Sequence, residues 1–419
     1  MRKKAQSKLI ARYLDTYSEI ETTLLNNFPL INSERIISIP CYDESPEFLV
    51  RLSKLSQTLD KHILAIVVVN HPDSQKIPDS NIHVLNWVEN FGKKIWQNHY
   101  LSLRQAKNFH LLSVDRSRDG PSLPHKQGVG LARKIGTDIA ACLLHTNKIC
   151  SEWTYSTDAD THIPSNYFSV DLNALSENNS AVIFAYKHIQ QNTDRSIHEA
   201  TLLYEQALNY YVAALKWAGS PYAYPTIGST FVINLNHYCQ ARGFPRRAGG
   251  EDFYLLNKLA KLAPVFQNSE VTVSIESRLS NRAPFGTGPA VKKIIEQSQT
   301  GKDYCYYSSN CFACLKEWLD FIPQIFSRIS ETPPLSEQEV LHRTDLSAST
   351  QEALNYLNIE SLFSHLRKQA INPSDCNKRT HEWFDAFKTL KFIRFLQEHY
   401  FPAKPLPHLL STAPWNSNY

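Results

Sequence analysis

Apolar positions in the first thirty residues recur every three to four places, at Leu9, Ile10, Tyr13, Tyr17, Ile20 and Leu24. That spacing predicts an amphipathic helix. The pattern then changes to short, nearly unbroken apolar runs. Residues 35–40 (RIISIP) make one run, ended by Pro40, and residues 63–69 (ILAIVVV) make another. Between them Phe48, Leu49, Leu52, Leu55 and Leu59 fall at helical spacing. The unit is strand, helix, strand, and strands apolar at every position suit a parallel sheet covered on both faces. Leu131, Ile135, Ile139 and Leu143 predict a helix over 130–145, followed by a strand at 153–157. Further strands are expected at 181–186, 230–233 and 271–275. From 302 onward the pattern is helical, around 315–329, 351–369 and 382–399. No internal repeat interrupts this order.

Composition narrows the class. The 419 residues are 42% hydrophobic and 11% aromatic, which is the make-up of a globular chain. No apolar run approaches the ~20 residues of a membrane helix. The basic start, MRKKAQSKLIARYLD, has no apolar stretch or cleavage site of a signal peptide. A soluble protein on the cytoplasmic side is expected. A formal charge of +4 is too small to argue for nucleic acid. The eight cysteines are scattered, and the lone Cys311/Cys314 pair lies in an apolar stretch without a second ligand pair nearby, so packed thiols are expected. Of 13 glycines, all but Gly92 and Gly301 fall between residues 120 and 288. Glycine serves tight turns and close approaches, so the working part of the chain is expected there.

Four stretches carry candidate chemistry. In YSTDADTHIP, residues 155–164, an apolar strand runs into Asp158 and Asp160. Strand side chains alternate, so carboxylates at i and i+2 would share a side. Two such charges repel unless a cation or donors intervene, which a hard divalent cation and a diphosphate would satisfy; solvated aspartates in a strand-end turn are the competing reading. In KQGVGLARKIG, residues 126–136, Gly128 and Gly130 precede a helix whose first amides favour an anion, and Lys126 and Arg133 add positive charge. In GGEDFYLLNKL, residues 249–259, Glu251 and Asp252 open an amphipathic helix. They are either reactive carboxylates beside a glycine loop or acids placed to favour the helix dipole. Arg278 and Arg282, after the strand at 271–275, are suited to phosphate oxygens. Arg242, Arg246 and Arg247 read as a solvated loop, with contact to an anionic acceptor as the competing reading.

Taken in order, SIPCYDE (38–44), KQGVGLARKIG, DADT (158–161) and GGEDFYLLNKL resemble the motifs of family 2 glycosyltransferases with the GT-A fold. YPTIGSTFVI (224–233) is similar to that family's acceptor-side segment. The resemblance covers roughly residues 34–288. It implies an α/β, GT-A-type doubly wound mixed sheet, with an N-terminal helical arm over 1–33 and an α-helical C-terminal region over 289–419.

The resemblance also implies a function and site residues. The activity would be inverting, metal-dependent transfer of a sugar from a nucleoside-diphosphate sugar to an acceptor hydroxyl. Pro40, Tyr42, Glu44, Lys126, Arg133, Asp158, Arg278 and Arg282 would line the donor site. The second strand runs into VNHPDSQ rather than the acidic residue usual there, and Asp115 is a substitute for reading the base. Asp158 and Asp160 would hold Mg²⁺ or Mn²⁺, and Asp252, with Glu251 beside it, would act as catalytic base. Alternatives are a nucleotidyltransferase, although SIPCYDESPE has no glycine- and arginine-rich phosphate loop, or a non-catalytic sugar-nucleotide-binding or interaction protein. The C-terminal helices carry no motif. Capping an acceptor site, contact with a membrane surface and self-association are all open to them.

Overall fold

The computed structural model describes residues 2–31, 33–175, 178–191, 194–280, 282, 286–331, 337–342 and 344–415. The chain forms two compact units, one of residues 1–201 and 226–291, the other of residues 202–225 and 292–419.

The first unit opens with α1 (Arg2–Thr16) and then builds a sheet from β1 (Arg35–Cys41). It continues through α2 (Glu47–Ser56), β2 (Ile63–Asn70), α3 (Asp79–Asn90), β3 (Lys93–Asn98), β4 (Leu101–Ala106) and β5 (Phe109–Arg116). Helix α4 (Gly128–His145) leads to β6 (Trp153–Ser156), β7 (Thr161–His162), α5 (Leu172–Leu175), β8 (Ala181–Ile189) and the first residues, 195–201, of α6 (Arg195–Trp217). After β9 (Phe231–Asn234) come α7 (Leu235–Gln240), α8 (Glu251–Ala260), β10 (Val265–Glu276) and the first residues of α9 (Thr287–Gln299), whose residues 292–299 belong to the second unit. The ten strands form one mixed sheet in the order β3-β4-β5-β2-β1-β6-β9-β8-β10-β7.

Four neighbouring strands, β5, β2, β1 and β6, are parallel. Every residue of β2 and β5 is buried, as the unbroken apolar run of β2 requires, and in β5 the burial extends to the polar His110, Ser113, Asp115 and Arg116. From β1 the chain first builds outward through β2 to β5, then returns along α4 to place β6 on the other side of β1. The winding direction therefore reverses between β1 and β6. Open α/β sheets bind ligands in the crevice at the carboxyl ends of strands at such a switch point.

Pro40 lies inside β1, which runs on to Cys41. Proline removes a ladder donor, but β6 pairs only with Ile36–Ser38, so at Pro40 that flank of β1 has no paired residue. The expected N-terminal helix is shorter than its apolar spacing suggests. It stops at Thr16, where the backbone amide of Glu19 turns to donate to Asp138 Oδ2 (2.9 Å), and Ile20–Leu24 form a 3₁₀ turn. The β3–β4 ribbon was not legible as strands, since β3 is a largely exposed KKIWQN.

Asp138 ties α1 to the sheet-covering helix. Buried within α4, it accepts from Tyr13 Oη (2.6 Å), Tyr238 Oη (2.7 Å) and Lys134 Nζ (2.7 Å). Burial, and then the Asp138 charge, push both tyrosine pKa values well up, so the phenols stay neutral donors. Removing one partner of a buried ion pair costs about 3–5 kcal/mol because the other charge stays uncompensated. Asp138→Ala should therefore lose about that much in a urea titration, with α1 loosening in hydrogen exchange. A loss below 1 kcal/mol would mean that Glu19, 3.8 Å from Lys134 Nζ, compensates the lysine instead.

In the second unit, residues 202–225, which include most of α6, group with β11 (Cys305–Tyr306), α10 (Ser309–Phe321), α11 (Ile325–Ile329) and α12 (Glu337–His342). The rest of it is α13 (Ala348–Tyr356), α14 (Ile359–Gln369), α15 (Pro373–Trp383), α16 (Ala386–His399), β12 (Lys404–Pro405) and α17 (Leu406–Thr412). Phe312, Trp318, Phe363, Phe392 and Trp415 lie in its core. Each long helix expected from the pattern is divided by a local signal. Pro323 sits in a 3₁₀ turn after α10, Asn358 takes a left-handed conformation (φ 61°) before α14, and Asp385 caps α16. Cys311 and Cys314 are buried free thiols. Among the described residues, no helix is long and apolar enough to cross a membrane.

Candidate functional site

At the switch-point crevice, β1 ends in Cys41 and is followed by Tyr42, Asp43 and Glu44. Asp43 is left-handed (φ 55°), donates its amide to Asn81 Oδ1 (2.9 Å) and accepts from Ser80 Oγ (2.7 Å). Asn81, fully buried at the start of α3, also donates to the Asn70 carbonyl (2.9 Å) and to Ser117 Oγ (3.0 Å). One side chain thus fixes the loops after β1, β2 and β5. Nothing in the sequence pattern singled it out.

The aspartate pair does not sit in a strand. β6 stops at Ser156, and residues 158–161 form a turn closed by the Thr161 amide on the Asp158 carbonyl (3.1 Å). Alternation therefore does not govern the two side chains, and the expectation that they share a strand face is corrected. Each instead has its own arginine. Asp158 Oδ1 accepts from Arg133 Nη2 (2.7 Å), and Asp160 Oδ2 pairs with Arg278 Nη2 (2.6 Å). Two internal guanidiniums thus offset the repulsion that the sequence implied.

Around these pairs the predicted residues gather into two clusters. The first joins Glu44, Asp160, Arg278 and Arg282. Glu44 accepts from both Arg278 nitrogens, Nη1 at 2.9 Å, and from Arg282 Nη1 (2.6 Å); Arg282 also donates to the Tyr42 carbonyl (2.6 Å). The Tyr42 hydroxyl hydrogen-bonds Gln75. Pro40 lies half-buried in β1, immediately before Cys41.

The second cluster centres on Arg133, whose side chain is 4% exposed. Its Nε donates to Glu251 Oε1 (2.9 Å), Nη1 to Ser156 Oγ (3.0 Å) and Nη2 to Asp158. Burial opposes its charge, but Asp158, Glu251 and Asp252 outweigh that and raise its pKa. Asp252 opens α8 after left-handed Gly250 (φ 69°) and accepts from the Phe253 amide (2.7 Å). Burial and the neighbouring Glu251 push its carboxyl pKa up to about 7, against the pull of Arg133. A base with that proton affinity is matched to neutral pH.

The glycines of KQGVG serve packing. A Cβ on Gly130 would lie 2.5 Å from the carbonyl oxygens of Pro245 and Arg247, and one on Gly128 would meet Ala248. The start of α4 is therefore pressed against the segment leading into Gly249–Asp252. Lys126 is exposed in the turn before it. Asp115 stands outside both clusters. Its carboxylate accepts the amides of Ser117 (3.0 Å), Arg118 (2.7 Å) and Asp119 (3.3 Å), which organises the turn after β5. Of the loop arginines, Arg246 pairs with Glu19 (2.7 Å) and Arg247 lies over the Tyr254 ring. Sequence reasoning also missed His162, whose Nε2 is 2.6 Å from Glu276 Oε1 just beyond Asp160.

No protein-family model and no curated protein matches the chain. Among solved structures it is similar to GalNAc-T7 crystallised with UDP, GalNAc and Mn²⁺, at 11% identity and a TM-score of 0.34, over 80% of this chain and 58% of that one. It is also similar to glucosyl-3-phosphoglycerate synthase from Mycobacterium tuberculosis with Mn²⁺, UDP and phosphoglyceric acid. There the identity is 13% and the TM-score 0.32, over 66% of this chain and 83% of that one. The chain thus spans a little over half the length of the first of these proteins.

Among the described residues no three His, Cys, Asp or Glu side chains converge as a metal cage. A magnesium-like ion bound with a substrate diphosphate needs only one or two protein carboxylates, the phosphates and water completing its shell. Asp160, next to Glu44 and reached by Arg278, fits that requirement. The donor set suits a cation that enters with an anion, and does not suit a caged resident ion.

Proposed function

We propose that this chain is a glycosyltransferase of GT-A type that moves a sugar from a nucleoside-diphosphate sugar to an acceptor hydroxyl with inversion. The observation that carries the reading is the composition of the crevice at the β1/β6 switch point. On one side stand a carboxylate and two guanidiniums, Asp160, Arg278 and Arg282. On the other stands Asp252, with its pKa lifted to about 7. The first grouping suits a diphosphate and its cation, the second a hydroxyl that must lose a proton. The ordered resemblance of SIPCYDE, DADT and GGED to family 2 glycosyltransferases supports the same reading.

Each residue then has a role. Asp160 would hold Mn²⁺ or Mg²⁺, with the free oxygen of Asp158 directed to the cation or the ribose. The cation would neutralise charge on the leaving diphosphate. Arg278 and Arg282 exchange Glu44 for phosphate oxygens and stabilise the same charge. Tyr42, beside Pro40, offers a ring face to the base. Asp252 accepts the proton of the acceptor hydroxyl as its oxygen attacks the anomeric carbon. With one base and a single displacement, the anomeric configuration inverts.

The test is hydrolysis and thermal stabilisation across a panel of UDP-, GDP- and dTDP-sugars, with Mn²⁺, Mg²⁺ or EDTA. We expect slow, cation-dependent release of a nucleoside diphosphate from at least one donor, with a raised melting temperature. Release of pyrophosphate from nucleoside triphosphates would identify a nucleotidyltransferase instead. No shift with any nucleotide would leave an interaction protein.

A further inference from the structure

Among the described residues, Arg133 is the one buried guanidinium that reaches both halves of the crevice. It bridges the end of β6 at Ser156 and the following turn at Asp158 to the head of α8 at Glu251. Five N–H donors in a rigid plane let one arginine satisfy three acceptors in fixed directions, which lysine cannot do. The space around it is closed. Ser156 Oγ donates to the Gly228 carbonyl (2.9 Å), and a Cβ added at Gly228 would lie 2.3 Å from Arg133 Nη2. Gly228 is thus the wall that holds the guanidinium in place.

We propose that Arg133 is a positioning residue that fixes the distance between the donor-side Asp158 and the acceptor-side base, with Gly228 as its steric backing. This rests on the glycosyltransferase reading. Buried behind Asp158 and Glu251, Arg133 acts on substrates only through them, although its place in the resembling motif suggested direct donor contact. Asp158 is held on the donor side, while Glu251 holds the first turn of α8 and with it Asp252. Loss of the bridge leaves donor and base each present but misaligned, and misplacement of reacting groups by about 1 Å can cost on the order of 100-fold in rate.

Two variants test this. Arg133→Lys keeps the charge and loses the fork, whereas Gly228→Ala keeps every polar group and displaces the fork. Both should lower the kcat of the folded fraction by about 10–100-fold, with the donor KM within a few-fold of wild type. Calorimetry with an intact sugar nucleotide should still show binding. A purely structural arginine would instead lower the melting temperature and leave kcat per folded molecule unchanged, which overturns the proposal. So does a donor KM that rises while kcat holds, since that is the mark of a direct donor contact. If either variant fails to fold, Ser156→Ala, which removes one of the three contacts, carries the same kcat-against-KM comparison. A wild-type protein that turns over no sugar nucleotide would remove the underlying reading. Wild-type turnover with unchanged variants would remove the role of Arg133 alone.

Discussion

Asp252→Asn should lose about 10²–10⁴-fold in transfer, the usual contribution of a general base, while the donor still binds. Asparagine keeps the side-chain shape and still accepts from the Phe253 amide, but it cannot take a proton. The raised pKa adds a second readout. Wild-type Asp252 must be deprotonated to act, so with a carboxyl pKa of about 7 its rate should fall about tenfold per pH unit below that value. The sign for stability follows from the same shift. A carboxyl pKa raised from the ordinary value to about 7 means that the folded chain binds the extra proton between those two values. Wild-type stability is therefore lost as pH rises toward 7. Asp252→Asn never ionises, so at pH 8 it should melt at or above the wild-type temperature, and the gap should close near pH 4. A capping aspartate behaves in the opposite way, losing ~0.5–2 kcal/mol of stability and leaving the rate intact. Melting temperature, rate and product stereochemistry measured on one preparation separate the two. A retained configuration removes Asp252 from the mechanism.

Asp160→Ala should be nearly inactive yet folded. A cation at a leaving diphosphate is worth several kcal/mol, and each ~1.4 kcal/mol is tenfold, so a loss of about 10³-fold or more is expected. The fold should survive because Arg278 keeps its bond to Glu44. EDTA on the wild type should reproduce the loss, and Mn²⁺ or Mg²⁺ should reverse it. EDTA added to Asp160→Ala should change nothing further. Full turnover in chelator would sink the cation reading, and leave Asp160 as the ion-pair partner of Arg278.

The central parallel strands and the stations of the crevice were legible in the sequence because each is a local signal. An unbroken apolar run as short as residues 63–69, rich in the β-branched Ile and Val, fits a strand buried on both faces better than a helix, and every residue of β2 is buried. The breaks in the C-terminal helices have equally local causes, Pro323, Asn358 and Asp385, which a periodicity reading runs across. The exposed β3–β4 ribbon could not be read, because its pairing rests on the neighbour β5 and its own polarity is that of a loop.

What tertiary structure alone decided is which charges meet. Sequence spacing placed Asp158 and Asp160 side by side, and the turn after Ser156 sends them to different arginines, 25 residues before and 118 residues after them in the chain (158 − 133 and 278 − 160). It placed Gly128 and Gly130 at the start of a helix, and packing set them against residues 245–248. It showed Glu251 and Asp252 as acids in a first helical turn, where a raised pKa depends on burial that no pattern of residue types records. Residues 202–225, contiguous with the crevice-bearing half of the chain, joined the C-terminal helices because their apolar face packs there. Local propensity and periodicity determine which segments are strands and helices. The proton affinities and ion pairs of the crevice arise from contacts between segments far apart in sequence, and only the folded chain supplies them.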